Sequence, residues 1–170
     1  VRAYALNAQS KRLLESVRCW PDALHATAVT HMDVFGDADG RVQFAAQALG
    51  VDALTWIVDV APLQARLREA TRYQALVEVM QTAPAATLTV ICEGKNSSTR
   101  AALGIRYQAT RYPQQAIAAR ARSEQPHGQV ARQWFHAGEV LALLPVGGEQ
   151  GHELAMVWSV LDARVDSLMQ

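Results

Sequence analysis

The sequence predicts an α+β fold: a mixed, largely antiparallel sheet covered by helices. Residues 6–18 and 62–73 place apolar side chains at helical spacing, whereas from about residue 87 onward strand-type runs dominate. Strands gathered in one half of a chain favour segregated α+β packing over a regular βαβ alternation. Half of the 170 residues are hydrophobic and 19% are charged, which suits one globular domain with a buried core.

The elements follow in order. LNAQSKRLLESVR, 6–18, sets Leu6, Leu13, Leu14 and Val17 on one helical face, and Trp20-Pro21 closes it because proline disfavours helical geometry in the residue before it. Residues 28–46 read as a β-hairpin, AVTHMDVF and RVQFAA flanking the turn-rich Gly-Asp-Ala-Asp-Gly. LTWIVDV, 54–60, is a strand, and Pro62 opens a helix through about Tyr73. TLTVIC, IRYQATRY, QQAIAARARS and QVARQWFHA are strand runs, and the nearly apolar EVLALLPV belongs in a sheet centre. Pro145 ends that strand, ELAMVWSVL returns after a glycine turn, and Asp162 is placed to cap a last helix.

Composition excludes several classes. Sixteen basic and sixteen acidic residues give a net charge of zero, which argues against nucleic acid as a partner, although Arg100, Arg106, Arg111, Arg120, Arg122 and Arg132 crowd one third of the chain. Two distant cysteines, Cys19 and Cys92, read as buried thiols of a reducing cytoplasm rather than a disulfide framework. No apolar stretch approaches the ~20 residues that span a bilayer, and no signal peptide is visible. The chain starts at Val1 without methionine, so a piece of a longer protein is expected.

Chemistry concentrates in Leu88–Arg100, an apolar run that stops at Glu93-Gly94 before Ser97, Ser98 and Arg100. A strand ending in glycine lets backbone amides approach a charged ligand. Glu93 can accept from a sugar or from amides, Ser97 or Ser98 can cap a short helix, and Arg100 can pair with phosphate or with Glu93. A plain strand-to-helix turn with a surface ion pair accounts for the same residues. His127 and His136 are isolated, and no proton-transfer role is assigned to them. No Cys/His spacing suits a metal and no nucleophile–base set stands out, so no catalytic or metal-binding residue is nominated.

This segment resembles the Asp-Gly fingerprint of flavin-dependent aromatic hydroxylases, with Glu93 in place of the usual Asp. Val1-Arg2-Ala3-Tyr4-Ala5-Leu6, followed by Ser10 and Leu13-Leu14, is similar to the segment after the first nucleotide-binding unit of those enzymes, and Trp56–Leu63 to their strand-then-helix segment. Tyr112-Pro-Gln-Gln-Ala-Ile, Pro126-His127, Ala131–Phe135, Gly138–Pro145 and Val157-Trp158-Ser159 resemble, in order, the UbiH/UbiF/VisC-type hydroxylases of ubiquinone biosynthesis. The resemblance implies a substrate-binding domain spanning 1–170, with 1–27 and 61–105 contributed to the flavin-binding part. It implies FAD contacts at Arg2, Glu93, Gly94, Ser97 and Arg100. It also implies an aromatic substrate wall with Trp134, Phe135, Leu143 and Pro145 as candidates, although alternation sends Trp134 and Phe135 to opposite faces.

The implied activity is hydroxylation of an aromatic ring, such as a ubiquinone precursor, using O2 and NAD(P)H. The implied setting is cytoplasmic or peripheral to the inner membrane face, with association in a Ubi complex, and truncation surface would favour a homodimer. The sequence contains no G-x-G-x-x-G and no later Gly-Asp segment, so this stretch alone is expected neither to retain FAD nor to hydroxylate. The competing expectation is a non-enzymatic α+β module that binds a hydrophobic small molecule or a protein.

Overall fold

A computed structural model describes residues 2–169. They form two compact units: residues up to Gln74 together with those from Pro113 onward, and Ala75–Tyr112 between them in sequence.

The first unit holds two sheets. β1 (Ala3–Leu6), β5 (Thr55–Asp59) and β2 (Ala26–Val29) make a three-stranded antiparallel sheet in the order β1-β5-β2. β3 (His31–Phe35), β4 (Arg41–Ala45), β6 (Gln114–Arg122), β7 (Val130–His136), β8 (Glu139–Val146) and β9 (Glu153–Leu161) make a six-stranded sheet in the order β4-β3-β7-β8-β9-β6. Every pair is antiparallel except β3–β7. The mixed, largely antiparallel α+β class follows, and the apolar β8 lies inside the sheet as its composition requires. Pro145 lies one residue before the end of β8, opposite Leu154 of β9 and beyond the last β7 pairing at Leu143, where a missing N–H breaks no β7 ladder bond.

Alternation sorts each strand by face. Ile57 and Val29 of the small sheet meet Ala131, Val146 and Ala155 of the large one in a common core. On the opposite face of the small sheet, Ala26 and Val58 pack with Leu63 of α2 (Val60–Arg72) and with Leu14 of α1 (Ala8–Ser16). The layers are therefore helices, small sheet, large sheet.

Three local expectations change. α1 is shorter than 6–18: Leu6 belongs to β1, Asn7 caps the helix by accepting from Ser10 N at 2.9 Å, and Arg18 turns left-handed (φ 56°) after Ser16, ahead of Trp20-Pro21. The hairpin is β3–β4 alone, because the chain leaves the small sheet at Val29 and enters the large one at His31. Asp162 opens a single 3-10 turn, Asp162–Arg164, whose cap is Leu161, before α4 (Val165–Leu168).

In Ala75–Tyr112 the regular element among the described residues is the short helix α3 (Ser98–Ala102). TLTVIC and IRYQATRY, expected as strands, are irregular, with Leu88 78% and Val90 72% exposed. β-propensity is realised only against a partner strand, and none pairs with either run among the described residues. Cys19 is buried, but Cys92 is exposed on this unit.

A buried histidine ties the turns below the large sheet. His127 Nδ1 accepts from Gln129 N at 3.0 Å, which leaves Nε2–H to donate to Val146 O at 3.1 Å. Burial lowers its pKa below 6.5, against backbone carbonyls that favour the cation. The unfolded chain therefore binds the proton more readily, so His127 contributes stability that is present above about pH 6.5 and is lost as pH falls towards its folded pKa. The chain should show a drop in melting temperature between pH 7 and pH 5 that His127→Gln reduces; an equal drop in both proteins would sink the assignment. A Cβ at Gly151 would lie 2.6 Å from Val146 O and 2.8 Å from His127 Nε2. Gly151→Ala is expected to cost about 1–3 kcal/mol in urea unfolding through overpacking.

Candidate functional site

In the first unit, a cleft of about 690 Å³ opens beside the first turn of α2, lined by Arg2, Tyr4, His25, Asp59, Gln64 and Arg120 among others. β5 delivers Asp59 as its last residue, on the face turned towards the large sheet, and β6 delivers Arg120 on the facing side. The Arg120 guanidinium donates through Nη2 to Asp59 Oδ1, and His25 Nδ1 lies 3.1 Å from Asp59 Oδ2. The Asp59 backbone N–H donates to His25 O at 2.9 Å, so its main chain is anchored to the same residue whose ring faces its carboxylate. Both Asp59 and Arg120 keep about a fifth of their side-chain surface exposed, so the pair is a partly buried ion pair rather than a surface one.

Arg2 stands just before β1, and its backbone carbonyl accepts from Val60 N at 3.2 Å. Its guanidinium has no hydrogen bond or ion pair among the described residues. The cleft thus presents one uncommitted cation, the Gln64 amide, the Tyr4 hydroxyl and the start of a 13-residue helix. Such donors fit one flank of an anionic or carbonyl-rich cofactor such as a flavin, whose ring carries several acceptors.

The second unit contains the other residues nominated for the cofactor, Glu93, Gly94, Ser97 and Arg100, and is built differently. Ser97 caps α3 through Oγ, which accepts from Arg100 N at 3.0 Å. Glu93 Oε2 accepts from Ser97 Oγ at 2.7 Å and from Thr99 N at 3.2 Å, while Oε1 accepts from the Thr99 hydroxyl. Arg100 does not pair directly with Glu93: it donates to Gly94 O at 3.2 Å and Lys95 O at 2.7 Å, and lies 4.4 Å over the Tyr107 ring. Gly94 takes a left-handed φ of 77°, which aims these carbonyls back at the arginine. The small cavity here, about 180 Å³, is lined by Ile91, Glu93, Gly94, Ser97, Arg100 and Ile105. The loop satisfies its own polar groups, so a ligand here would meet mainly the cavity rim and backbone.

The Thr99 hydroxyl, then Ser97, then the Thr99 amide hold the Glu93 carboxyl below its ordinary value of 4.5. Its folded pKa being depressed, the loop's closure is complete above pH 4.5 and lost as pH falls through the folded value.

Of the four aromatic-wall candidates, Phe135 points to the face shared with Ala131 and the two-sheet core. Trp134, Leu143 and Pro145 point to the other. Arg120 shares the Phe135 face, through the registers Arg120↔Ala155 and Phe135↔Val140. On that face Phe135 is 42% and Val157 39% exposed, next to Val140 and Ala142.

Reading the sequence missed Asp59, Arg120 and His25. Asp59 carried a usable signal, a carboxylate closing an apolar strand just before a helix start; Arg120 was one of six crowded arginines with nothing local to single it out. Asp59→Asn should cost about 1–3 kcal/mol, the worth of charge-assisted hydrogen bonds to a partly buried arginine, read as a lowered urea midpoint. In the second unit, Glu93→Gln should speed amide exchange at Thr99 and Arg100 at pH 7 without altering exchange in β8; unchanged exchange would refute the carboxylate as the loop's organiser.

No protein-family model matches the chain. Among solved structures the fold is similar to that of PqsL, a probable FAD-dependent monooxygenase from Pseudomonas aeruginosa. The TM-score is 0.76 at 17% identity, covering 99% of this chain and 53% of that one. PqsL in complex with 2-aminobenzoylacetate gives a TM-score of 0.78 at 17% identity, over 99% and 52% of the two chains. FqzB gives 0.61 at 17% identity, over 94% and 44%. The chain spans about half the length of these structures, and at such identity the likeness shows a shared fold of two sheets, mostly antiparallel.

Proposed function

We propose that this chain is the substrate-binding part of an FAD-dependent monooxygenase that hydroxylates an aromatic ring. The observation that carries the reading is the position of Arg2. The residue that the sequence resemblance assigns to flavin opens onto the cleft beside α2, its guanidinium unpaired among the described residues. The fold shared with PqsL over nearly the whole chain supports the same class.

In this reading Arg2 and Gln64 hold one flank of the cofactor, and the Asp59–Arg120–His25 cluster fixes the cleft wall behind it. The Glu93–Arg100 loop, considered by itself, offers backbone and the rim of its small cavity. Bound FAD would supply the activation of oxygen, with electrons from NAD(P)H. The chain's own part is positioning and dryness. Phe135, Val140, Ala142 and Val157 give one apolar face against which a planar ring can lie, while Trp134, Leu143 and Pro145 on the opposite face support the sheet from behind. The ordered run from Tyr112 to Ser159 favours a ubiquinone precursor as the ring. Residues 1–27 and 61–105 are assigned to the flavin-binding part.

Two measurements test this. In the protein expressed from its full reading frame, Arg2→Ala should weaken FAD binding roughly tenfold, the loss of one charge-assisted hydrogen bond, with the melting temperature of the apoprotein unchanged. An unaltered FAD affinity would remove Arg2 from the site. The 170-residue chain alone should purify without stoichiometric flavin; a yellow, fully loaded preparation would show that it is not the partial site proposed here.

A further inference from the structure

The face of the large sheet turned away from the two-sheet core carries a row of rings and cations. Phe35 and Trp134 stack at 5.4 Å with planes 9° apart, and Arg41 lies 5.2 Å over Phe35. Two strands further along the same register row, Trp134↔Leu141↔Trp158, the Trp158 ring has Arg164 at 5.7 Å. The outer ends of the row are thus each covered by a guanidinium. Between the two indoles the row is open: Leu141 forms the floor of a slot of about 330 Å³, with His136, Glu139 and Arg164 at its end. Strand spacing sets the two tryptophan backbones about 10 Å apart, wide enough for an alkyl chain or a small flat group.

Glu139 supplies the polar end. Its side chain is nine-tenths buried, and Oε2 accepts from Arg164 Nη1 at 2.6 Å. Oε1 is buried and has no hydrogen-bond partner among the described residues. A carboxylate oxygen in that position is costly unless a donor reaches it. Asp59 shows in this same chain that one carboxylate accommodates two nitrogen partners, one on each oxygen.

We propose that this slot is a binding site for a protonated alkylamine, with its ammonium donating to Glu139 Oε1 and its methylenes lying on Leu141 between Trp134 and Trp158. Cation–ring attraction and the free acceptor act on the same group: the indole faces favour a cation, and Oε1 requires an N–H or O–H donor. The site lies on the opposite sheet face from the Arg120 cleft and does not depend on the flavin reading.

The probe is n-butylamine at pH 7.5, where it is the cation, titrated into the 170-residue chain while the indole N–H resonances of Trp134 and Trp158 are followed by NMR. Saturable shifts of both are expected, with the dissociation constant raised at least tenfold in Glu139→Gln and in Trp134→Leu, and with n-butanol producing no saturable shift. Trp134→Leu leaves the Glu139–Arg164 pair in place, so it decides the matter if Glu139→Gln fails to fold. The proposal is overturned if butylamine gives no saturable shift, if butanol binds as well, or if Trp134→Leu binds butylamine with unchanged affinity. A parallel titration with N-acetyl-lysine methylamide separates the sources of the cation: equal affinity points to a side chain of another polypeptide, and exclusion points to a free amine.

Discussion

The close approach of the two sheets governs the rest of the molecule. Ala131 and Ala155 are small residues on the inner face of the large sheet, and they share one buried cluster with Val146 and with Ile57 and Val29 of the small sheet. Sheets that meet in this way need both inner faces apolar along their length, and the register supplies that through Leu144, Ala155 and Ala131 on one side and Ala3, Ile57 and Val29 on the other. The second cluster, Ala26, Val58 and Leu63 with Trp20 and Trp56, then seats the helices on the outer side of the small sheet. A change at Ala131 or Ala155 would be felt by every layer.

The cleft exists because this interface stops short of the sheet edge. At the end of β5 the inward position is taken by Asp59 instead of another aliphatic residue, and the edge strand β6 answers it with Arg120. A charged pair, in place of apolar side chains, bridges the two sheets there. His25 and the first turn of α2 complete the rim, so one polar substitution in the core pattern is also what makes room for a ligand.

Much of this architecture could be read from the chain. The runs that became β6 to β9 alternate or are bounded by glycine, and each found a neighbour. TLTVIC and IRYQATRY have equal β-propensity and formed no strand, because pairing is a property of two segments and periodicity describes only one. The break at Thr30 was hidden for a similar reason: the two strands that flank it are continuous in pattern but belong to different sheets. In the candidate sites, a serine cap at Ser97 or Ser98 was legible because capping is local, and Ser97 takes the position. The Asp59–Arg120 pair was not, since sixty-one residues separate its members and nothing in either neighbourhood names the other. Arg100 was read as a partner for phosphate or for Glu93, but two backbone carbonyls turned towards it by Gly94 hold it instead.

The parallel pairing of β3 with β7 bears on how the chain is made. β3 and β7 lie side by side although about a hundred residues separate them, and the whole of Ala75–Tyr112 is spelled out between. A ribosome that has released α1, α2 and the small-sheet strands has therefore released β3–β4 as a two-stranded ribbon whose β3 edge still lacks its partner. That edge stays open until Val130–His136 emerges, so the last third of the message closes a sheet that the first third began. During this interval the hairpin presents Met32, Val34 and Phe44 without their sheet neighbours, and the charges of Asp33 and Arg41 on it disfavour pairing with a wrong strand.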